Sequence, residues 1–205
     1  MTLWAIVPVK PFRRGKSRLS SVLTEDERVV LNRGLLENTL DVLNTVSEIE
    51  HILVVSHDPY ALAISRNYGA YTLQETGQMN LNLALTKGAR VALSFRVNSL
   101  LVLPADLALL DPQDIRTLVS HRNHSPLVAI APDRRREGTN ALLLSPVGCI
   151  PFSYGPDSFN RHSELAHNAG IPLEVYTLPS LAVDVDVPED LEWVTNKLLL
   201  KKMEA

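Results

Sequence analysis

Apolar and polar positions along the chain follow two periods. Short apolar runs at Leu3–Val9 and His51–Ser56 predict strands, as do the runs at 70–73, 99–103, 127–131, 141–144 and 173–178. Residues 181–184 are a candidate short addition. Longer segments with apolar residues at helical spacing separate these runs. One follows Thr24-Glu25-Asp26-Glu27, a capping-box sequence, and carries Val30, Leu31, Leu35, Leu36, Leu40 and Leu43. Further helices are expected to start near Pro59, Asn80, Pro112, Ser158 and Pro188, proline being suited to a first turn because its missing N–H is not needed there. The last of them carries Leu191, Val194, Leu198 and Leu199 and ends in Lys201-Lys202, which opposes the negative pole of the helix dipole. Strands alternating with helices predict an α/β fold: a mostly parallel mixed sheet with helices on both faces.

Composition narrows the function classes. A chain of 205 residues, 45% apolar and 21% charged, is expected to form a single domain spanning 1–205 with one sizeable core. A formal charge of -3 gives no reason to expect nucleic acid or an anionic membrane as partner. No apolar stretch approaches the roughly 20 residues needed to cross a bilayer. The first ten residues lack a basic segment ahead of an apolar run, so no signal peptide is expected. The single cysteine, Cys149, excludes an internal disulfide, suits a reducing compartment and is expected in the core or at a strand edge. The expected location is the cytoplasm.

Ligands of such sheets sit beyond the carboxyl ends of strands, which directs attention to the loops after Val9, Leu103, Ala131 and Leu144 and to the segment around Asp184. The first strand runs into Pro8-Val9-Lys10-Pro11-Phe12-Arg13-Arg14-Gly15-Lys16-Ser17-Arg18, with five cations in nine residues. Such a loop can neutralise a triphosphate while Gly15 permits close backbone approach; the alternative is a solvated basic loop. Leu100-Leu101-Val102-Leu103-Pro104-Ala105 ends in Asp106, a strand-end carboxylate or a simple turn former. In Val183-Asp184-Val185-Asp186-Val187, extended backbone would place Asp184 and Asp186 on one face. Two adjacent carboxylates call for a cation, and a hard divalent ion such as Mg2+ takes oxygen ligands. Otherwise they only precede the last helix, whose N-terminus Glu189 and Asp190 are expected to serve. Together these elements point to phosphoryl-group chemistry by charge neutralisation, without a protein nucleophile. Arg134-Arg135-Arg136-Glu137-Gly138-Thr139-Asn140 and Tyr154-Gly155-Pro156-Asp157-Ser158 are candidates for an acceptor site, with an exposed loop and an ordinary N-cap by Asp157 or Ser158 as the alternatives. The six histidines show no zinc signature; His121 and His124, and His162 and His167, are expected in surface or packing roles.

These blocks resemble the guanylyltransferases of coenzyme F-420 biosynthesis, which act on 2-phospho-L-lactate or phosphoenolpyruvate. The resemblance spans nearly the whole chain. It rests on Val7-Pro8-Val9-Lys10 with Lys16-Ser17-Arg18-Leu19, Leu103-Pro104-Ala105-Asp106-Leu107, Gly138-Thr139-Asn140-Ala141-Leu142, Gly155 with Ser158-Phe159, and Asp184-Val185-Asp186 before Pro188-Glu189-Asp190. It implies a Rossmann-like, GT-A-like nucleotidyltransferase fold, in which GMP passes from GTP to the phosphate of a small phosphorylated acid and pyrophosphate leaves. The acceptors it implies are 2-phospho-L-lactate, phosphoenolpyruvate or 3-phosphoglycerate, and a downstream transferase consumes the product. By the same resemblance, Asp106, Asp184 and Asp186 would ligate Mg2+. Pro8, Lys10, Lys16, Arg18 and Asp106 would meet the nucleotide, Lys10, Lys16 and Arg18 being the catalytic cations. The stretch Glu75-Thr76-Gly77-Gln78-Met79-Asn80-Leu81-Asn82 would lie near the nucleoside, with Asn80 and Asn82 as candidates for polar contacts, and Thr139, Gly155 and Ser158 would hold the acceptor. The family tends to form homodimers. Ala108 departs from the family's usual proline two residues after the aspartate, a change of loop stiffness more than of chemistry. A related cytidylyltransferase, or a non-catalytic nucleotide-binding domain, would keep the same fold.

Overall fold

The computed structural model describes residues 2–204, with side chains described through residue 196. Seven strands join one sheet: β1 (Leu3–Val9), β2 (His51–Ser56), β3 (Tyr71–Gln74), β4 (Ser99–Val102), β5 (Leu127–Pro132), β6 (Thr139–Ser145) and β7 (Leu173–Val175). Their spatial order is β3-β2-β1-β4-β6-β5-β7, and every neighbouring pair is parallel except the two made by β6. The helices are α1 (Glu25–Asn44), α2 (Pro59–Asn67), α3 (Leu81–Ser94), α4 (Pro112–Val119), α5 (Ser158–Asn168) and α6 (Pro188–Glu204).

Strand side chains alternate between two cores. Leu3, Ala5 and Val7 of β1 face the layer made by Leu36, Leu40 and Leu43 of α1, Leu62 of α2, and Ile115 and Leu118 of α4. Trp4 and Ile6 face the other layer, with Ala84, Leu85 and Ala89 of α3 and Phe159 and Ala166 of α5. Each central strand is therefore apolar on both sides, as a sheet covered by helices on both faces requires. A third cluster unites Leu19, Val183, Val185 and Val194, so α6 clamps the acidic segment against the loop that follows β1.

The expected helix starts hold. Thr24 Oγ1 accepts from the Glu27 N–H, and the Glu27 carboxylate accepts from the Thr24 N–H at 2.8 Å, completing the capping box. Val30, however, is 69% exposed, because α1 buries only the Leu35, Leu36, Leu40 and Leu43 side of its surface. Residues 181–184 form no strand: a short 3-10 turn, Pro179–Leu181, comes first and no partner strand lies alongside. The strand expected over 173–178 stops at Val175. The side chains of Leu198, Leu199, Lys201 and Lys202 lie outside the described residues. Among the described residues no helix is long and apolar enough to cross a membrane.

The antiparallel β6 reverses one expectation. Its end, at Ser145, lies at the opposite pole from the carboxyl ends of β1 and β4, with the Val147 N–H bonded to Asn98 O just before β4. It is the start of β6, at Thr139 and Asn140, that enters beside the site.

Truncating Leu101, fully buried in the middle of β4, should remove packing from the strand that carries Asp106. Leu101→Ala is expected to lower the unfolding free energy by about 2–5 kcal/mol, read from the urea midpoint.

Candidate functional site

The chain turns from β1 to β2 and β3 on one side and places β4 on the other, so the crevice between the ends of β1 and β4 is the switch point of the sheet. A cleft of about 510 Å3 opens there, lined by Pro8, Lys10, Lys16, Asn80, Asp106, Asp184 and Asp186 among others. Seven of the twelve residues expected at the site thus share one cavity. Asn82 and Arg18, together with Thr139, Gly155 and Ser158, stand outside its lining.

The loop after β1 is braced from three sides. Pro11 O accepts from the N–H groups of Arg14 and Gly15. The Phe12 N–H donates to Asp58 Oδ2 at 3.0 Å, and Asn32 Nδ2 donates to Phe12 O at 2.9 Å. A Cβ on Gly15 would stand 2.6 Å from Asn32 Nδ2, so glycine is what lets the α1 side chain reach the loop. The loop then bends through Lys16, held at φ 55°, and delivers its ammonium to Asp106 Oδ2 at 2.9 Å. Only 7% of the Lys16 side chain is exposed. Lys10 is exposed at the end of β1. Arg18 pairs with Asp186 at 2.8 Å on the outer side, where a recess of about 230 Å3 also holds Arg134, Arg135 and Asp184.

The acidic segment keeps the expected alternation without belonging to the sheet. Val183 and Val185 are buried, while Asp184 and Asp186 face the cleft. The Val185 N–H donates to Asp106 O at 3.0 Å, joining the two acidic loops through the backbone. Asp190 accepts the N–H groups of Asp186 and Val187, the helix-start role expected of it. Burial, and after it the Asp106 carboxylate, hold Asp184 above the usual carboxylate range; Lys16 pulls the other way and Asp186 adds a smaller repulsion.

That donor set fits a hard divalent cation: three carboxylates whose mutual repulsion a cation would relieve, offering oxygen ligands only. As arranged, Asp106 turns to Lys16 and Asp186 to Arg18, and among the described residues no three acidic, histidine or cysteine side chains surround a common point.

Thr139, Ser158 and Gly155 are brought together, but the two hydroxyls are engaged internally. Ser158 Oγ accepts from the Thr139 N–H at 3.0 Å, and Thr139 Oγ1 lies 3.0 Å from His162 Nδ1. Asp157 does not cap α5 through its side chain; it sits at φ 58° and accepts from Asn160. Arg136 stacks over Phe159, 4.9 Å from the ring centroid, while Arg134 and Arg135 line the outer recess. Asn82 is occupied as well, bonded in both directions to the Tyr154 backbone, and Asn80 caps α3 through the Leu83 N–H.

Of the surface and packing roles expected for the histidines, His162 takes the packing one and is fully buried. The Ser153 N–H donates to Nε2 at 2.9 Å, so the neutral ring carries its proton on Nδ1, toward Thr139. His121 lies beyond α4, against the Glu174 carboxylate at 3.0 Å and the Tyr176 hydroxyl. Cys149 is half-buried in the turn after β6, and burial pushes its thiol up. Three residues that shape the site carry no expectation from the sequence: Asn32 and Asp58 beneath the loop, and His57 in the cleft wall. Glu75, at the start of the stretch expected near the nucleoside, also lines that wall. The only available signal for His57 is positional, since it follows directly on a strand.

A switch-point cleft with a cationic loop on one wall and converging carboxylates on the other defines the nucleotidyltransferase class. A nucleotidyl transferase from Methanothermobacter thermautotroptrophicus shares the fold, with a TM-score of 0.71 at 14% identity over 98% of this chain and 99% of that one. Residues 3–198 match the family described as guanylyl transferase CofC like, and the chain belongs to that family of guanylyltransferases. A phosphoenolpyruvate guanylyltransferase of Rubrobacter xylanophilus is 42% identical over 93% of this chain and 92% of its own length. A 3-phospho-D-glycerate guanylyltransferase of Colwellia psychrerythraea is 36% identical over 91% and 88%.

The His162 site generates a pH prediction. Burial, and then the Arg161 charge, lower its pKa to about 4 from an ordinary 6.5, and protonating Nε2 would break the Ser153 bond. Because the folded pKa is depressed, the unfolded chain binds the extra proton first. Stability is complete above pH 6.5 and is lost as pH falls from 6.5 toward 4, by about 3 kcal/mol. Urea unfolding at pH 7.5 and 4.5 measures it, and His162→Gln should flatten this part of the pH dependence.

Proposed function

We propose that the enzyme transfers GMP from GTP to the phosphate of a small phosphorylated carboxylic acid and releases pyrophosphate, as one step of coenzyme F-420 assembly. The names of the two relatives support phosphoenolpyruvate or 3-phosphoglycerate as acceptor, with 2-phospho-L-lactate as the third candidate. The observation that carries the reading is the convergence of Lys16, Asp106 and Asp184 at the β1/β4 crevice.

An oxygen of the acceptor phosphate forms a new bond to the α-phosphorus of GTP. The bridging bond between that phosphorus and the β-phosphate oxygen breaks, and pyrophosphate carries the electron pair away. Lys10, Lys16 and Arg18 neutralise the charge that gathers on the leaving group, and the backbone at Pro8 borders the nucleotide. Asp106, Asp184 and Asp186 would hold Mg2+, which screens the phosphates and polarises the phosphoryl oxygens when bound. Thr139, Gly155 and Ser158 border the acceptor; with both hydroxyls bonded internally, the positioning they supply is through backbone and shape. The chain acts as one domain, and its product is a phosphoanhydride suited to a downstream transferase.

The test is pyrophosphate release with GTP and Mg2+ against the three acceptors in parallel. Release dependent on one acceptor is the expected result; release only with CTP and a different phosphate would overturn the assignment. Asp106→Ala and Asp184→Ala should each lower kcat on the order of 100-fold or more while the far-ultraviolet circular dichroism stays unchanged. Wild-type turnover in either variant would remove that carboxylate from the site.

A further inference from the structure

The cleft extends from the phosphate end, at Lys16 and Asp106, to a wall formed by His57, Glu75, Met79, Asn80 and Leu81. His57 follows β2 and Glu75 follows β3, and the Glu75 N–H is fixed on Ser56 O at 2.9 Å. The tip of β3 lies two strand spacings from that of β1, roughly 10 Å. That is the order of the span from an α-phosphate to the far edge of a nucleobase.

This wall holds polar groups that the protein itself leaves unpaired. The Glu75 side chain is 10% exposed, and among the described residues its carboxylate receives no hydrogen bond. His57 Nε2 is buried, lacks a hydrogen-bond partner and stands 3.8 Å from Glu75 Oε2, beyond bonding length. A buried polar atom such as His57 Nε2 is costly to leave unpaired, while the Glu75 carboxylate, lining the cleft and 10% exposed, has capacity to accept from a ligand. We infer that Glu75, with His57 beside it, reads the Watson–Crick edge of guanine. The inference rests on the guanylyl-transfer reading and adds the residues that select the base.

The chemistry singles out one base. A carboxylate is acceptor-only, with two oxygens, and matches two adjacent donors. Guanine presents N1–H and the 2-amino group side by side, with O6 next to them for a donor such as a ring N–H of His57. Adenine and cytosine turn a ring nitrogen lone pair toward the carboxylate, and uracil offers a single donor. Met79 and Leu81 supply flexible apolar surface along the same wall, suited to the face of a purine.

Calorimetric titration of the protein with GTP, ITP and XTP, with CTP and ATP as comparisons, tests this. ITP lacks the 2-amino group, and the wild type should bind it on the order of 10-fold more weakly than GTP, the loss of one hydrogen bond to a charged group. Glu75→Gln puts an amide donor opposite the purine 2-position, so it should reverse the preference and bind XTP better than GTP. Steady-state kinetics should show the reversal in KM. His57→Ala should weaken GTP and ITP alike, since both carry O6. A purely structural role for Glu75 would weaken all three nucleotides in parallel. Retention of GTP over XTP by Glu75→Gln, or equal affinity of the wild type for GTP and ITP, overturns the inference; the wild-type comparison stands even if a variant fails to fold. A wild type that prefers CTP or ATP over GTP would instead sink the guanylyl-transfer reading, and this inference with it.

Discussion

Charge balance among Lys16, Asp106 and Asp184 is the constraint around which this end of the molecule is built. Lys16 is nearly withdrawn from solvent, and its ammonium sits 2.9 Å from Asp106. A buried ion pair is weak evidence of stability, because desolvation offsets much of the attraction, but removing one partner leaves an uncompensated charge. Here a second carboxylate, Asp184, feels the repulsion of Asp106 and is itself desolvated. One lysine therefore serves two acids, and the surplus of negative charge is the feature that would suit the cleft to a cation, and through that cation to a phosphate. The left-handed turn at Lys16 and the close contact of Asn32 with Gly15 maintain that placement. A non-glycine residue at positive φ persists only when its surroundings over-determine it, and Asp58, Asn32 and buried Leu19 do so here.

The sheet explains why distant stretches meet at this point. The parallel strands β1 to β4 deliver the ends of four strands to one pole, with the direction change between β1 and β4 opening the crevice. Because β6 runs against them, its first residues arrive at that pole. Asn140 Nδ2 donates to Leu181 O at 2.8 Å, fixing the turn from which the chain enters the acidic segment. The backbone bond from Val185 to Asp106 completes the connection. Side chains on unrelated loops thus share a rigid frame, the condition under which fixed charges can stabilise a transition state without reorganising.

How much of this was legible in the sequence follows from the range of each interaction. The strands β1 and β2, the capping box and the proline-led helices were read correctly because alternation, local caps and ring geometry are properties of neighbouring residues. The alternation of Val183 and Val185 with Asp184 and Asp186 was equally local, although the segment pairs with no strand. The direction of β6 was not legible, because a run such as Ala141-Leu142-Leu143-Leu144 packs the same way in either orientation. Nor could sequence foresee that Asn82 would be spent on the Tyr154 backbone, a contact across 72 positions. His57 lies hidden for the same reason: it looks like an ordinary post-strand residue until β2 and β3 pair, whereas Glu75 falls in the stretch the resemblance puts near the nucleoside but with no role of its own.

Around the proposed acceptor side a buried polar network fixes the backbone. Thr139 and Ser158 bond to each other, His162 bonds to Thr139 and to the Ser153 backbone, and Asn82 grips Tyr154 from α3. The segment 153–158 is thereby held at both ends, by His162 and Asn82 at Ser153 and Tyr154 and by the Thr139 N–H at Ser158. Gly155, at φ 125°, sits between those anchors where a side chain would meet Arg161. A surface so fixed presents its shape and its backbone N–H groups without rearrangement. The polar residues that the sequence suggests as ligand contacts are here the fasteners of a surface, each spent on holding the backbone around it.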